Sequence, residues 1–464
     1  MSETMTERTF DPAAEEARLT ERCTALLERA AARGADEAEV IAMRTEMIAV
    51  RFEKGDLKLT QVDEGTSLGL RVFDARKIGF VSTNQSDDAA LDTAATDALT
   101  LAGFSLPDDA NVLPAARPLD DRPSLVSEDV ARLTVEEAVA HGNDFVTAAL
   151  AVDPRLSIDQ CSFVVSRTSA AVCSTTGVSA AESDATIGLQ LFGMAIDGDD
   201  VGGFDYWGDT LRDTTGIDAA IRDVVERFST AALGNLGAGA AEDYRGPVLF
   251  APQAFLEVFV SPLVSAASSI AVQRGRSALA GKLGTVVASP SISILDDPSD
   301  ARLAGAARFD REGQPARPFP IVMGGVLDGY LYNAYSARIE GRDSTGHAAG
   351  GARSVPGLGP HALSVAPGDG GSVAELYAAL ERGLVVQRFS GTVDPASGDF
   401  SGVAKSARWV EGGKLVRPCR ETLFSGNAFE LLKSVRALSS TAENIMGGAF
   451  APWALIDGLS VTAG

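Results

Sequence analysis

At 464 residues the chain is longer than one hydrophobic core usually supports, so two domains are expected. With 45% hydrophobic and 22% charged residues it reads as a globular protein, far from a disordered composition. The 63 acidic against 40 basic residues leave a net charge of −23, a surface that repels phosphate backbones and argues against a nucleic-acid partner.

The first residues are polar and acidic, with no apolar core of a signal peptide. Residues 12–33 form the first predicted helix, with Leu19, Cys23, Leu26 and Leu27 at helical spacing and Gly34 as its stop. Strands are predicted over 38–43 and 47–52, a turn at Lys54-Gly55-Asp56, then strands over 57–62, 68–73 and 78–82. A helix over 87–102 takes Asp87 or Asp88 as its N-cap. The stretch 104–130 is rich in Pro and Asp and reads as irregular. Thr134 with Glu137 three residues on is a capping box for a helix to about residue 152. Further strands are predicted over 157–167, 171–174, 178–184 and 187–196, a loop over 198–203 and a helix over 216–233. The small residues of 234–241, GNLGAGAA, read as a structureless domain linker.

The second half starts with a strand over 247–250 and an apolar helix over 252–272. The latter contains Glu257, Pro262 and four serines, so it reads as a buried helix and not a membrane span. Strands follow over 291–295, 319–323, 326–333, 385–393 and 402–410, with Asp328-Gly329 and Gly412-Gly413 as hairpin turns. A late helix over 427–438 and a closing strand over 453–461 complete the chain. Hairpins outnumber βαβ units. The expected fold is therefore α+β, in two domains (residues 1–236 and 245–464), with mostly antiparallel sheets, flanking helices and a β-rich C-terminal half.

Local chemistry is sparse. The three histidines, His141, His347 and His361, sit at no spacing that makes a metal clamp. Cys23, Cys161, Cys173 and Cys419 form no C-x-x-C pair and read as reduced thiols of a cytoplasmic protein, with Cys161 and Cys173 as small core residues on neighbouring strands. The segment GRSALAGKL (275–283) has the wrong glycine spacing for a phosphate loop, and Leu283 stands where a magnesium-ligating hydroxyl is needed. Asp296 and Asp297, adjacent at a strand end, point to opposite faces and suit a turn better than an acid/base dyad. Ser344-Thr345-Gly346-His347 invites a nucleophile–base reading, but nothing in the sequence supplies a third, orienting group. A peptide-groove loop over Ser344, Thr345, Gly346 and His347, leading into the Gly-rich 348–360, is the better account.

From Gly246 onward the chain resembles the TldD/PmbA (TldD/TldE) family of bacterial and archaeal peptidases. The resemblance rests on GPVLFAP (246–252), RGRSALAGKLGTVVASPSISILDDP (274–298) and FDREGQPARPFPIVMGGVLDGYLYNAYSAR (309–338). It continues through DSTGH (343–347), FSGTVDPASGDFSGVAKSARWVEGGKL (389–415) and LIDGLSV (455–461), with GTSLGLRVFDARKIGFVST (65–83) in the first half. TldD-like members carry His-Glu-x-x-x-His on the helix after the first strand of this half, and a later cysteine completes a zinc site. Counting back from 274–284 places those positions on Val260, Ser261 and Ser265. Valine offers no ligand atom, a serine hydroxyl is a poor one, and residues 441–451 hold no cysteine. The pattern is similar to the family's PmbA/TldE branch. That resemblance implies no catalytic residues, metal or cofactor in this chain, with zinc only in a TldD-like partner subunit. The chain would be inactive alone and would act in a cytoplasmic heterodimer that degrades or trims unfolded or leader peptides. The alternative is a homodimeric peptide-binding or regulatory protein without catalytic activity. No nucleic acid and no membrane enter either reading.

Overall fold

The computed structural model describes residues 9–420 and 422–463; the polar start, residues 1–8, lies outside them. Helix α1 (Pro12–Ala32) opens with Pro12 in its first turn and Asp11 as N-cap, the carboxylate accepting the Ala14 N–H. Three strands follow, β1 (Glu37–Glu53), β2 (Asp56–Asp74) and β3 (Lys77–Thr83), then α2 (Asp88–Phe104), capped by Asp87. After a largely irregular stretch come the short α3 (Glu128–Arg132) and α4 (Val135–Leu150), the latter with the full Thr134–Glu137 capping box. Strands β4 (Leu156–Ser174), β5 (Ser179–Asp197), β6 (Asp200–Val201) and β7 (Asp205–Leu211) and helix α5 (Ile217–Leu233) complete the first half.

These strands form one antiparallel sheet ordered β3-β2-β1-β4-β5, with β7 and the small β6 both paired to β5. The interruptions expected within β1, β2, β4 and β5 are absent: each pair of short strands is one long strand. The polar residues that seemed to break the pattern are matched in space. Arg44, buried in the middle of β1, pairs with Glu15 of α1 and Glu64 of β2, while Arg167 of β4 reaches Glu46. A charge in mid-strand is tolerated when its partner comes from another element. Cys161 and Cys173 accordingly share the single strand β4 rather than lying on neighbours. Helices α1 and α2 cover one end of a sheet face and α4 and α5 the other, giving two apolar cores.

The second half opens with β8 (Tyr244–Phe250), α6 (Pro252–Phe255), a π-turn (Leu256–Val260), α7 (Ser261–Ala266) and α8 (Ser269–Gln273). Next come β9 (Ile294–Asp296), β10 (Phe319–Met323), β11 (Val326–Leu327), α9 (Ala334–Glu340), β12 (Ala348–Ala349), β13 (Gly357–Leu358) and β14 (Leu363–Val365). Helix α10 (Val373–Leu380) leads to β15 (Arg382–Val386), β16 (Arg388–Val393), β17 (Asp399–Lys405), β18 (Ala407–Glu411), β19 (Lys414–Cys419) and β20 (Thr422–Asn427). One turn of helix, α11 (Ala428–Leu431), then β21 (Val435–Ile445) and β22 (Ala449–Thr462) close the fold. A 13-stranded sheet runs β11-β10-β9-β14-β22-β8-β15-β18-β19, with β21 and the β16-β17-β20 ribbon joined at β22. Among the named strands, only β14–β22 and β8–β15 pair in parallel. The fold is α+β with mostly antiparallel sheets and a β-rich second half.

Three local expectations are corrected. The helix expected over 427–438 lasts one α-turn and a 3-10 turn. From Val435 the backbone pairs with β22 instead, because the apolar side chains there reach the core only in an extended register. The β10–β11 turn is Gly324-Gly325, both at positive φ, and not Asp328-Gly329; a Cβ on Gly325 would come within 2.4 Å of the Ala288 carbonyl oxygen. By contrast, Gly412-Gly413 is the β18–β19 turn as expected. The small-residue segment 234–241 connects the two sheets but is not structureless. The Gly239 N–H donates to the Pro418 carbonyl and the Arg420 N–H to that of Gly239.

Candidate functional site

Val260, Ser261 and Ser265, the positions expected from the resemblance to match a zinc motif, fall on a distorted helix. Pro252 opens α6 in its first turn, where no N–H is needed. The helix then widens into the π-turn, in which the Ser261 N–H bonds the Leu256 carbonyl, and Pro262 begins the next α-turn. The expected continuous helix is therefore widened here, where Pro262 has no N–H to give an α-turn, and it ends at Ala267 before the short α8. Val260 turns inward and is wholly buried in the main core with Phe250 and Phe259. Ser261 and Ser265 turn outward and are exposed.

Ser261 and Ser265 line a groove of about 470 Å³ with Glu257, Phe389, Gly391 and Val393. A second hollow of about 340 Å³ also uses Ser265 and extends to Arg274, Arg276, Leu358 and Gly359. The far wall of the groove is β16, which among the described strands pairs only with β17 and so presents an open edge. The Phe389 N–H points out of that edge to Glu257 Oε2 at 3.0 Å. By strand alternation the backbone groups of Gly391 and Val393 point the same way, into the groove. Glu257 also accepts from Gln253 Nε2 at 2.9 Å. Burial raises its carboxyl above the usual range, with the Phe389 amide offsetting part of the effect.

The loop Ser344, Thr345, Gly346 and His347 lies elsewhere. Ser344 Oγ donates to the Tyr332 carbonyl and does not reach His347. The His347 ring, 1% exposed, has Nε2 3.0 Å from Asp296 Oδ2 and Nδ1 2.8 Å from Thr345 Oγ1. Asp296, dismissed as a turn residue, is thus the orienting carboxylate that the sequence did not reveal. It also accepts the backbone N–H groups of His361 and Ala362. Burial alone would raise the Asp296 carboxyl, but the His347 ring and the His361 amide hold it below its ordinary value. His361 Nε2 lies 2.7 Å from the Gly346 carbonyl, and burial lowers its pKa. With the imidazole of His347 sealed from solvent and its hydroxyl neighbour bonded to Tyr332, the cluster is a structural clasp. Only the end of the glycine-rich segment, Leu358, Gly359 and Pro360, reaches the hollow beside Ser265. Asp297 does form the turn, accepting from the Ser299 N–H.

A second buried cluster joins the two halves. Glu39 and Arg71, directly opposed on β1 and β2, meet Arg311 and Glu312: Arg71 bonds Glu39 at 2.8 Å and Glu312 at 2.9 Å, and Arg311 bonds Glu39 at 2.7 Å. Burial pushes the Glu39 carboxyl upward, but Arg71 and Arg311 outweigh it and bring it below normal. Burial dominates for Glu312, which stays raised despite Arg71. The motif FDREGQP thus welds the halves together.

Zinc fits poorly at the helix. Val260 has no donor atom and faces the core, the two serines offer only neutral hydroxyls, and Cys419 is buried at the end of β19. Among the described residues, no group of three or more His, Cys, Asp or Glu could hold a metal ion.

Residues 243–463 match the sequence profile described as the PmbA/TldA metallopeptidase C-terminal domain, and residues 38–102 match that of PmbA/TldA metallopeptidase domain 1. The chain belongs to the PmbA/TldD metallopeptidase family. The Metalloprotease PmbA homolog of Haemophilus influenzae is 26% identical over 442 residues, 93% of each chain. An uncharacterized protein of Methanocaldococcus jannaschii is 30% identical over 205 residues, 44% of this chain and about half (48%) of that protein's length. The Metalloprotease TldD homolog of H. influenzae matches over 36% of this chain and 35% of its own, at 28% identity. Among solved structures, TldE from Thermococcus kodakarensis superposes with a TM-score of 0.85 at 20% identity, covering 95% of this chain and 100% of that one. No helix among the described residues is long and apolar enough to cross a membrane.

Proposed function

We propose that this chain is the metal-free subunit of a TldD/TldE-type heterodimeric peptidase, one that holds extended, unfolded or leader peptides while a zinc-carrying partner cleaves them in the cytoplasm. The observation that carries the reading is that Val260 and Ser265 stand where the resemblance places two zinc-binding histidines, and Ser261 where it places the glutamate general base, directly beside the open edge of β16. A strand edge binds extended peptide through main-chain hydrogen bonds with little regard to sequence. The groove at Ser261 and Ser265 has room for the side chains such a strand presents on one face. In this division of labour the family's domain architecture, residues 1–236 and 245–464, is kept for pairing and peptide handling. Near full-length similarity to a PmbA-named relative, with only partial similarity to a TldD-named one, agrees with the PmbA/TldE side of the family.

Affinity purification of the tagged chain from its native host, with metal analysis and a casein-derived peptide assay, tests the reading. The expected result is a co-purifying chain bearing His-Glu-x-x-x-His, zinc in the complex and none in the isolated subunit, and cleavage only by the complex. Stoichiometric zinc with peptidase activity in the isolated chain would overturn it.

A further inference from the structure

A cavity of about 610 Å³ lies at the start of α6, between α5 of the first half and β18, β21 and β22 of the second. Its size is that of a small-molecule site. Most of its charges are already matched: Arg227 pairs with Asp223 at 2.9 Å and Glu443 at 2.7 Å, and Arg388 with Asp205 at 3.0 Å. Glu443 also accepts the Trp453 indole N–H at 2.7 Å. Three groups remain.

The first is Arg408. Its guanidinium bonds the Asn235 side-chain oxygen at 3.0 Å and the Ala407 carbonyl at 3.1 Å, but meets no carboxylate within ion-pair distance among the described residues. Burial lowers its pKa, and the Asp205 carboxylate offsets part of that effect without touching the guanidinium. It is also deliberately accommodated. A Cβ on Gly234 would lie 2.4 Å from Arg408 Nη2, so the glycine at the end of α5 is what lets the guanidinium into the cavity. The second is Gln253, 5% exposed, whose Nε2 serves Tyr206 and Glu257 while its Oε1 finds no donor among the described residues. A buried amide oxygen without a donor is destabilising, and a ligand N–H would relieve it. The third is Glu226, an exposed carboxylate on the cavity wall with no ion-pair partner among the described residues. Tyr377 and Trp453, packed edge to face at 6.2 Å, supply an apolar surface beside them.

A guanidinium with no anion in contact, a buried acceptor with no donor and a carboxylate with no ion-pair partner among the described residues together complement one ligand class. We propose that this cavity binds the zwitterion of an apolar α-amino acid or dipeptide, with its carboxylate on Arg408, its N–H groups on Gln253 Oε1 and Glu226, and its side chain against Tyr377 and Trp453. Such molecules are what peptide hydrolysis releases. Gln253 links the cavity to the groove, since its amide donates to Glu257, which in turn holds the Phe389 N–H at the start of β16. An occupant therefore sits two hydrogen-bonded side chains away from the open strand edge, placed to report the level of hydrolysis products. Ligand binding here requires neither zinc nor a partner chain, so its outcome is separable from that of the heterodimer.

The test is isothermal titration calorimetry of the full-length chain with L-phenylalanine, glycyl-L-phenylalanine, L-phenylalaninamide and N-acetyl-L-phenylalanine. The two zwitterions should bind saturably, and removing the carboxylate or the amine should weaken binding at least tenfold. Arg408→Gln should abolish the preference for phenylalanine over its amide. Glu226→Gln, an exposed change that leaves folding intact, should reduce the preference over the N-acetyl compound. No saturable heat from either zwitterion at millimolar concentration, or equal binding of phenylalanine and its amide to the unaltered chain, would overturn the proposal.

Discussion

The most quantitative consequence of the structure concerns the buried cluster that joins the halves. Arg71, 4% exposed, bridges Glu39 on the adjacent strand and Glu312 from the second half. Substituting Arg71→Met keeps the apolar stem but removes the charge. Glu39 then retains Arg311, whereas Glu312 keeps only the Ala334 N–H at 2.8 Å as a close partner and still faces Glu39. Stranding one buried carboxylate in this way costs about 3–5 kcal/mol, far more than loss of an exposed ion pair. Adding Glu312→Gln removes the stranded charge, so the double variant should recover most of the loss. The two changes share one contact and should be strongly non-additive, with a coupling of about 2 kcal/mol or more. Urea unfolding followed by tryptophan fluorescence reads this directly, with the comparison made on midpoints at unchanged slope. A cost below about 1 kcal/mol for Arg71→Met, or strict additivity in the cycle, would refute the idea that this cluster holds the halves together.

Three further outcomes are expected. His361 has a pKa below its ordinary 6.5 in the folded chain, so its contribution is complete above that pH and is lost as pH falls toward the folded value. Stability should decline below pH 6.5 by up to about 1.4 kcal/mol per pH unit from this group, and His361→Gln should flatten that part of the urea-midpoint profile. Gly79→Ala would put a Cβ 1.8 Å from the Ala98 carbonyl oxygen of α2, between two backbones that cannot both move. A loss of about 1–3 kcal/mol or more is expected, read as a lower thermal midpoint. Finally, Val393→Pro removes an outward N–H from the open edge of β16 at a place where an edge strand tolerates proline. Peptide affinity of the complex should fall roughly two- to tenfold with the fold unchanged by circular dichroism; unaltered affinity would exclude this edge as the peptide-binding strand.

Chain-local features were readable from residues alone wherever the physics is local. The Thr134–Glu137 capping box, the Asp87 cap and the Gly412-Gly413 turn need only neighbouring residues, and all three stand where expected. The identities at 260, 261 and 265 are likewise a property of the chain, legible through motif spacing. Other features were invisible because their causes lie far off in sequence. The long strands β1, β2, β4 and β5 looked broken, since Arg44 and Arg167 are acceptable in mid-strand only through Glu15, Glu46 and Glu64. His347 looked like a base beside Ser344 until folding put Asp296 and Thr345 on its two nitrogens and closed it from water. The cavity around Arg408 and Gln253 had no sequence signal, because an unmatched charge is defined by what surrounds it. Backbone propensities and turn chemistry act over a few residues and are carried by the chain itself. Pairing, burial and exposure belong to the packed fold, and only there do Ser261 and Ser265 come to line a groove beside an open strand while Val260 joins the core.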